Sequence, residues 1–139
     1  TIPVAGVVST APVHVLASMI RGTNKLDYLR RFKYRAMAFV NLKLEGHSGL
    51  SDVVTWVPER RFPFFRISDI GMGLPWLVPD GKSQITCDIE CNIGDEHWLM
   101  SDEQLIELCK FSMNQIVDGI SKRCLGGRVV RVPLAYPVF

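Results

Sequence analysis

No stretch of this sequence reaches the roughly 20 consecutive apolar residues that a membrane-spanning helix needs. The nearest, VAGVVSTAPVHVLASMI, is broken by Ser, Thr, Pro and His. Its apolar run follows no basic start, so a secretory signal is not expected. Charge of one sign is also scarce: 16 Lys and Arg stand against 14 Asp and Glu, a net charge of +2. Without a basic stripe, nucleic acid is not an expected partner. The densest basic cluster, LRRFKYR (Leu29 to Arg35), alternates with apolar residues and reads as a strand entrance. Cysteine is limited to four residues, too few and too dispersed for a disulfide framework, so a reducing, cytoplasmic setting is expected.

The usual marks of chemistry are missing too. The three histidines, His14, His47 and His97, are scattered, and Asp95, Glu96 and His97 are adjacent on a turn where they cannot all face one ion. Gly71 and Gly73 lack the third glycine of a dinucleotide fingerprint, since Trp76 stands in its place after Pro75. Ser48 and Ser51 have no nucleophile-elbow context. No catalytic residue and no metal ligand is expected, and the chain alone reads as inactive.

What is present is a core. With 139 residues and 47% hydrophobic content the chain suits a single domain. Ala5–Thr10 reads as a short buried strand, followed by a short helix with Thr10 as cap, Pro12 in its first turn and Gly22 as its stop. In RAMAFVNLKLEG, Ala36, Ala38, Val40, Leu42 and Leu44 share one face by the period of two, which predicts a strand. DVVTWVPE and PFFRISDI predict two more, and GMGLPWLVPDGKS an irregular segment.

SQITCDIECNIG puts Ile85, Cys87, Ile89, Cys91 and Ile93 on one face and Gln84, Thr86, Asp88, Glu90 and Asn92 on the other, a half-buried strand with a solvated polar side. Cys87 and Cys91 would lie roughly 13 Å apart along it. They can neither bridge nor share a zinc ion, and read as small core residues.

Ser101 and Gln104 form a capping box at the start of a helix, with a stripe of Ile106, Cys109, Met113, Ile116 or Val117, and Ile120, and with Gly126 and Gly127 as terminators. Pro133 and Pro137 place the last strand at an edge or a bulge. The fold expected is α+β: a mixed, largely antiparallel sheet of about five strands, covered by a long helix and a short N-terminal one.

The succession VVSTAPVHVLASMI, YRAMAFVNLKLEG, TWVPERRFPFFRIS, SQITCDIECNIGDEHW, SDEQLIELC and RVVRVPLAYPVF resembles the middle region of FAD-dependent oxidoreductases of the amine oxidase and protoporphyrinogen oxidase superfamily, near UDP-galactopyranose mutase-like members. In that superfamily the chain weaves between a FAD domain and a substrate domain whose sheet roofs the cavity over the flavin. The resemblance implies that residues 1–139 are one domain, the substrate-binding portion of a longer flavoprotein, with 1–22 the returning edge of the FAD domain. It implies Ser9, Thr10 and Pro12 as FAD neighbours in the parent protein. It implies Trp56, Arg66 and Tyr136 as cavity lining, the aromatics for stacking and Arg66 for an anionic substrate group.

The FAD domain of the same polypeptide and a small-molecule substrate are then the partners, FAD is the parent's cofactor, and no flavin is expected on this chain alone. A start without Met and a stop within a strand agree with an excised piece, which is expected to self-associate through its orphaned surface. The competing reading is a free-standing α+β ligand-binding or assembly module.

Overall fold

In the computed structural model, which describes residues 2–138, the chain forms one five-stranded antiparallel sheet with helices, an α+β fold. The elements are α1 (Val13–Met19), a 3-10 turn (Asp27–Arg31), β1 (Lys33–Glu45), β2 (Val54–Trp56), β3 (Arg66–Asp69), α2 (Ile70–Gly73), a second 3-10 turn (Pro75–Leu77), β4 (Lys82–Cys91), α3 (Glu96–Leu99), α4 (Asp102–Met113), α5 (Ile120–Arg123) and β5 (Cys124–Val138). The strand order is β2-β3-β4-β1-β5.

Strand β1 lies between β4 and β5 and pairs antiparallel with both. Its alternation does what the period of two requires: Ala36, Ala38, Val40, Leu42 and Leu44 are buried on one face, joined by Ile67, Ile85, Cys87, Ile89, Cys91 and Val129 from the other strands. Helices α4 and α5 close this face with Leu105, Cys109, Met113 and Ile120. Cys87 and Cys91 are free thiols inside the core. Burial, and secondarily the adjoining Cys109 thiol, push the Cys87 thiol up, so it is an inert packing group and not a nucleophile.

The capping box forms as the sequence indicates. Ser101 Oγ accepts from the Gln104 N–H at 3.2 Å, and Gln104 Oε1 accepts from the Ser101 N–H at 2.8 Å. The helix is shorter than its apolar stripe suggests and ends at Met113. Asn114 Oδ1 accepts from the Ser121 N–H at 3.2 Å, which stabilises a turn in place of further helix. Gly119 (φ +77°) then redirects the chain, and Ile120 reaches the core from α5. The buried stripe is Leu105, Cys109 and Met113, with Ile106 half-buried beside it.

Gly126 and Gly127 are not terminators but residues of β5. A Cβ on Gly127 would stand 2.9 Å from the Asn41 carbonyl oxygen and 3.0 Å from Ile106, so α4 lies this close to the sheet only over a glycine.

The N-terminal expectation fails. Residues 5–10 form no strand, and Val7 and Val8 are 81% and 97% exposed. Apolar, β-branched content favours a strand, but a strand needs a partner edge, and this segment has none among the described residues. Pro12, not Thr10, occupies the N-cap of α1, without a side-chain bond. Ile93, expected on the core face of β4, lies beyond the strand and is exposed. β2 is confined to three residues, although the Val57 N–H just beyond it still donates to the Phe65 carbonyl at 2.8 Å.

Strand β5 is an edge strand, as its prolines indicate. Its register with β1 shifts twice. Arg35 opposes Tyr136 while Met37 opposes Val132, so two extra residues of β5 are accommodated at Pro133–Ala135. Lys43 opposes Gly126 while Leu44 opposes Cys124, so Leu125 is the extra residue there.

Replacing Cys87 with Ala should lower stability by about 1–2 kcal/mol through the cavity it leaves, and Ser101→Ala by about 1 kcal/mol through loss of the cap. Leu125→Ala, at an exposed bulge, should stay within about 0.5 kcal/mol of wild type. Urea midpoints at constant slope measure all three.

Candidate functional site

The face of the sheet opposite α4 carries a row of directly opposed residues across all five strands: Trp56, Arg66, Asp88, Phe39 and Val130. One step along lie Glu90, Met37 and Val132, and beyond them Arg35 and Tyr136. This face is only partly covered, since Trp56 is 64% and Tyr136 44% exposed.

Trp56, Arg66 and Tyr136, three residues drawn from three strands, meet here. The Arg66 guanidinium donates from Nη2 to the Tyr136 hydroxyl at 3.3 Å and lies 5.5 Å from the centre of the Trp56 ring. Phe65 stands 5.8 Å from Trp56 with its ring tilted by 32°. Together Arg35, Met37, Trp56, Phe65, Glu90 and Tyr136 line a hollow of about 190 Å³.

The charges at the hollow are paired. Arg66 donates from Nε to Asp88 Oδ2 at 2.7 Å and forms a salt bridge with it through Nη2. Arg35 forms a salt bridge with Glu90. Asp88, which alternation alone placed on a solvated face, is only 2% exposed. It is covered by the very arginine that compensates it. Burial pushes the Asp88 carboxyl above the usual carboxylate range, and Arg66 offsets this only in part. Burial also acts against the Arg66 charge, but the bond and attraction to Asp88 outweigh it and hold the guanidinium more firmly protonated.

Asp88 and Glu90, neighbours on one strand face, are each bound to their own arginine. Arg35, Met37 and Phe65 were not singled out in the sequence, and Glu90 was read only as part of the solvated face of its strand. The mixed face of β1, which carries both Arg35 and Met37, was the only signal for those two.

Ser9, Thr10 and Pro12 lie elsewhere. Ser9 and Thr10 are on exposed coil, where Ser9 Oγ accepts from the Ala11 N–H at 3.2 Å. The Pro12 carbonyl accepts from the N–H groups of Val15 and Leu16 at the start of α1. His14 sits against Tyr34 with ring centres 5.1 Å apart, and its buried Nδ1 has no hydrogen-bond partner. His47 accepts from the Gly49 N–H through Nδ1, and His97 lies on α3. Among the described residues no three His, Cys, Asp or Glu side chains converge as a metal-binding group. No helix among them is long and apolar enough to cross a membrane.

The raised carboxyl of Asp88 has a signed consequence. The folded state holds this proton more tightly than the unfolded chain, whose Asp titrates near 3.8. The Asp88 contribution to stability is therefore fully present below 3.8 and lost as pH rises through the raised native value. Relative to Asp88→Asn, the wild type should lose stability as pH rises from below 3.8 toward neutrality. Parallel urea titrations of the two proteins measure this, and a difference that moves the other way would count against a burial-dominated Asp88.

No family profile matches the sequence, and no curated protein matches it significantly. Solved structures do. Over 92% of this chain the fold is similar to the crystal structure of reduced UDP-galactopyranose mutase, with a TM-score of 0.65 and 17% identity. It is equally similar, with a TM-score of 0.65, 12% identity and the same 92% coverage, to a provisionally named protoporphyrinogen oxidase from Exiguobacterium sp. 255-15. This chain spans 28% of the length of each. At these identities the likeness establishes the fold, which is that of one segment of two longer enzymes.

Proposed function

We propose that this chain is the substrate-binding portion of a flavin-dependent oxidoreductase of the amine oxidase and protoporphyrinogen oxidase type, with the flavin held mainly by other segments of the same polypeptide. The observation that carries the reading is the open sheet face. Trp56 and Tyr136, on two different strands, line one hollow there, and Arg66, on a third, is bonded to Tyr136 and lies against Trp56. Two supports stand beside it: the sequence resemblance, and a fold shared with a segment of two longer enzymes, one of them captured in a reduced state.

The residues of this chain do not by themselves fit a flavin. Ser9 and Thr10 stand on exposed coil without a cradle around them, and the hollow under Trp56 is too small for a dinucleotide. In the proposed parent, residues 1–22 return to the FAD domain and bring Ser9, Thr10 and Pro12 beside the cofactor. The redox chemistry is then the flavin's, while this chain positions the substrate and keeps water from it.

The visible spectrum of the full-length gene product tests the reading. Flavin bands that bleach on addition of a reducing substrate are the expected result. A colourless, well-folded protein that also refuses added FAD would leave only a ligand-binding module.

The exposed N-terminal segment supplies a second test. Ile2, Val4, Val7 and Val8 are all exposed, and apolar side chains in such a row favour association. Expressed alone, the chain should sediment as a dimer or larger species, and deletion of residues 1–12 should shift it toward monomer. A clean monomer at high concentration before the deletion would contradict an orphaned docking surface.

A further inference from the structure

The chemistry of the hollow narrows what it can hold, given the reading that the open sheet face is the substrate surface. The sequence suggested Arg66 as an anchor for an anion. Its geometry argues otherwise. Nε and Nη2 are already committed to Asp88, and Nη2 also reaches Tyr136. An anion could claim those donors only by leaving the Asp88 carboxylate, 2% exposed, without its counter-charge. The other arginine at the hollow, Arg35, is paired with Glu90. The remaining lining is Met37, Trp56, Phe65 and Tyr136. The site offers ring faces and no uncommitted charge pair.

Two details add direction. Arg66 and Phe65 hold the Trp56 indole in place, yet most of the ring is exposed, so it presents a fixed surface for stacking. The Tyr136 hydroxyl accepts from Arg66. Its lone pair is thereby engaged while its own proton stays free, so Tyr136 is a donor toward the hollow. A cavity of ~150 Å³ takes a benzene ring. At about 190 Å³ this hollow suits one ring or a fused pair.

We infer that the hollow binds a flat, conjugated, uncharged ring of the substrate, stacked on Trp56 and accepting a hydrogen bond from Tyr136 at its edge. Sugar nucleotides and other phosphate-bearing ligands are disfavoured at this position, because the charge of each arginine is already compensated by a carboxylate.

Three probes of similar shape test this by calorimetric titration of the full-length gene product: quinoline, uncharged at neutral pH with an acceptor nitrogen; naphthalene, without the acceptor; and 2-naphthoate, an anion. Quinoline should bind about tenfold more tightly than 2-naphthoate. Trp56→Ala should weaken quinoline about tenfold. Tyr136→Phe should weaken quinoline about fivefold and leave naphthalene unchanged.

Because Trp56 lies on an edge strand, circular dichroism should confirm that its variant remains folded; Tyr136→Phe, which removes one oxygen, tests the inference independently. Equal or tighter binding of 2-naphthoate, or quinoline binding indifferent to both substitutions, would overturn it. The two levels of interpretation separate cleanly. A colourless protein that binds quinoline through Trp56 keeps the ring site and removes the flavin reading. A yellow protein whose quinoline binding ignores Trp56 and Tyr136 does the reverse.

Discussion

Strand β1 has hydrogen-bonding neighbours on both sides along nearly its whole length, and this pairing fixes everything else. A strand locked between two others cannot rotate, so its even-numbered residues must enter the core and its odd-numbered ones must face away. The even set is small or aliphatic, which lets α4 come close to the sheet. The odd set, Arg35, Met37, Phe39, Asn41 and Lys43, becomes the floor of the opposite face. The site is the reverse side of the core, assembled by the same alternation that builds it.

On that reverse side the energetics are electrostatic. A carboxylate buried as deeply as Asp88 is tolerated only because Arg66, on the adjoining strand, lies across it. That bond also fixes Arg66, which in turn supports the Trp56 ring and engages the Tyr136 oxygen. One compensated charge thus orders three side chains on three strands. Side chains restrained in this way would lose little further freedom on binding the proposed ligand.

Much of this was legible in the sequence, and the reasons are local. The alternations of β1 and β4, the Ser101–Gln104 box and the prolines of the edge strand each express a rule acting within a few residues. What escaped depended on contacts between distant residues. The apolar period after Met113 continues through Ile116 and Ile120, and nothing local says that the Asn114 side chain will stop the helix by binding Ser121. Asp88 looks solvated in its own strand, yet it is buried and paired with Arg66 from the adjoining strand. Residues 5–10 have strand composition without a strand to pair with. Trp56, Arg66 and Tyr136 were named from a resemblance, but their meeting on one face of the sheet is a property of register, which the sequence alone does not display.

The two irregularities of β5 differ in parity, and this sets what insertions and deletions the strand can accept. The extra residues at Pro133–Ala135 number two, so the strand regains its phase, and Tyr136 emerges on the same face as Val132. The extra residue at Leu125 is single, which turns Cys124 toward the core beside Leu44. A related chain could lose both residues of the first bulge and keep its tyrosine over the hollow. Losing only one would leave a single-residue bulge like that at Leu125, across which the tyrosine could still oppose Arg35. Length variation at this edge is thus taken up in bulges, and pairing with β1 resumes beyond them.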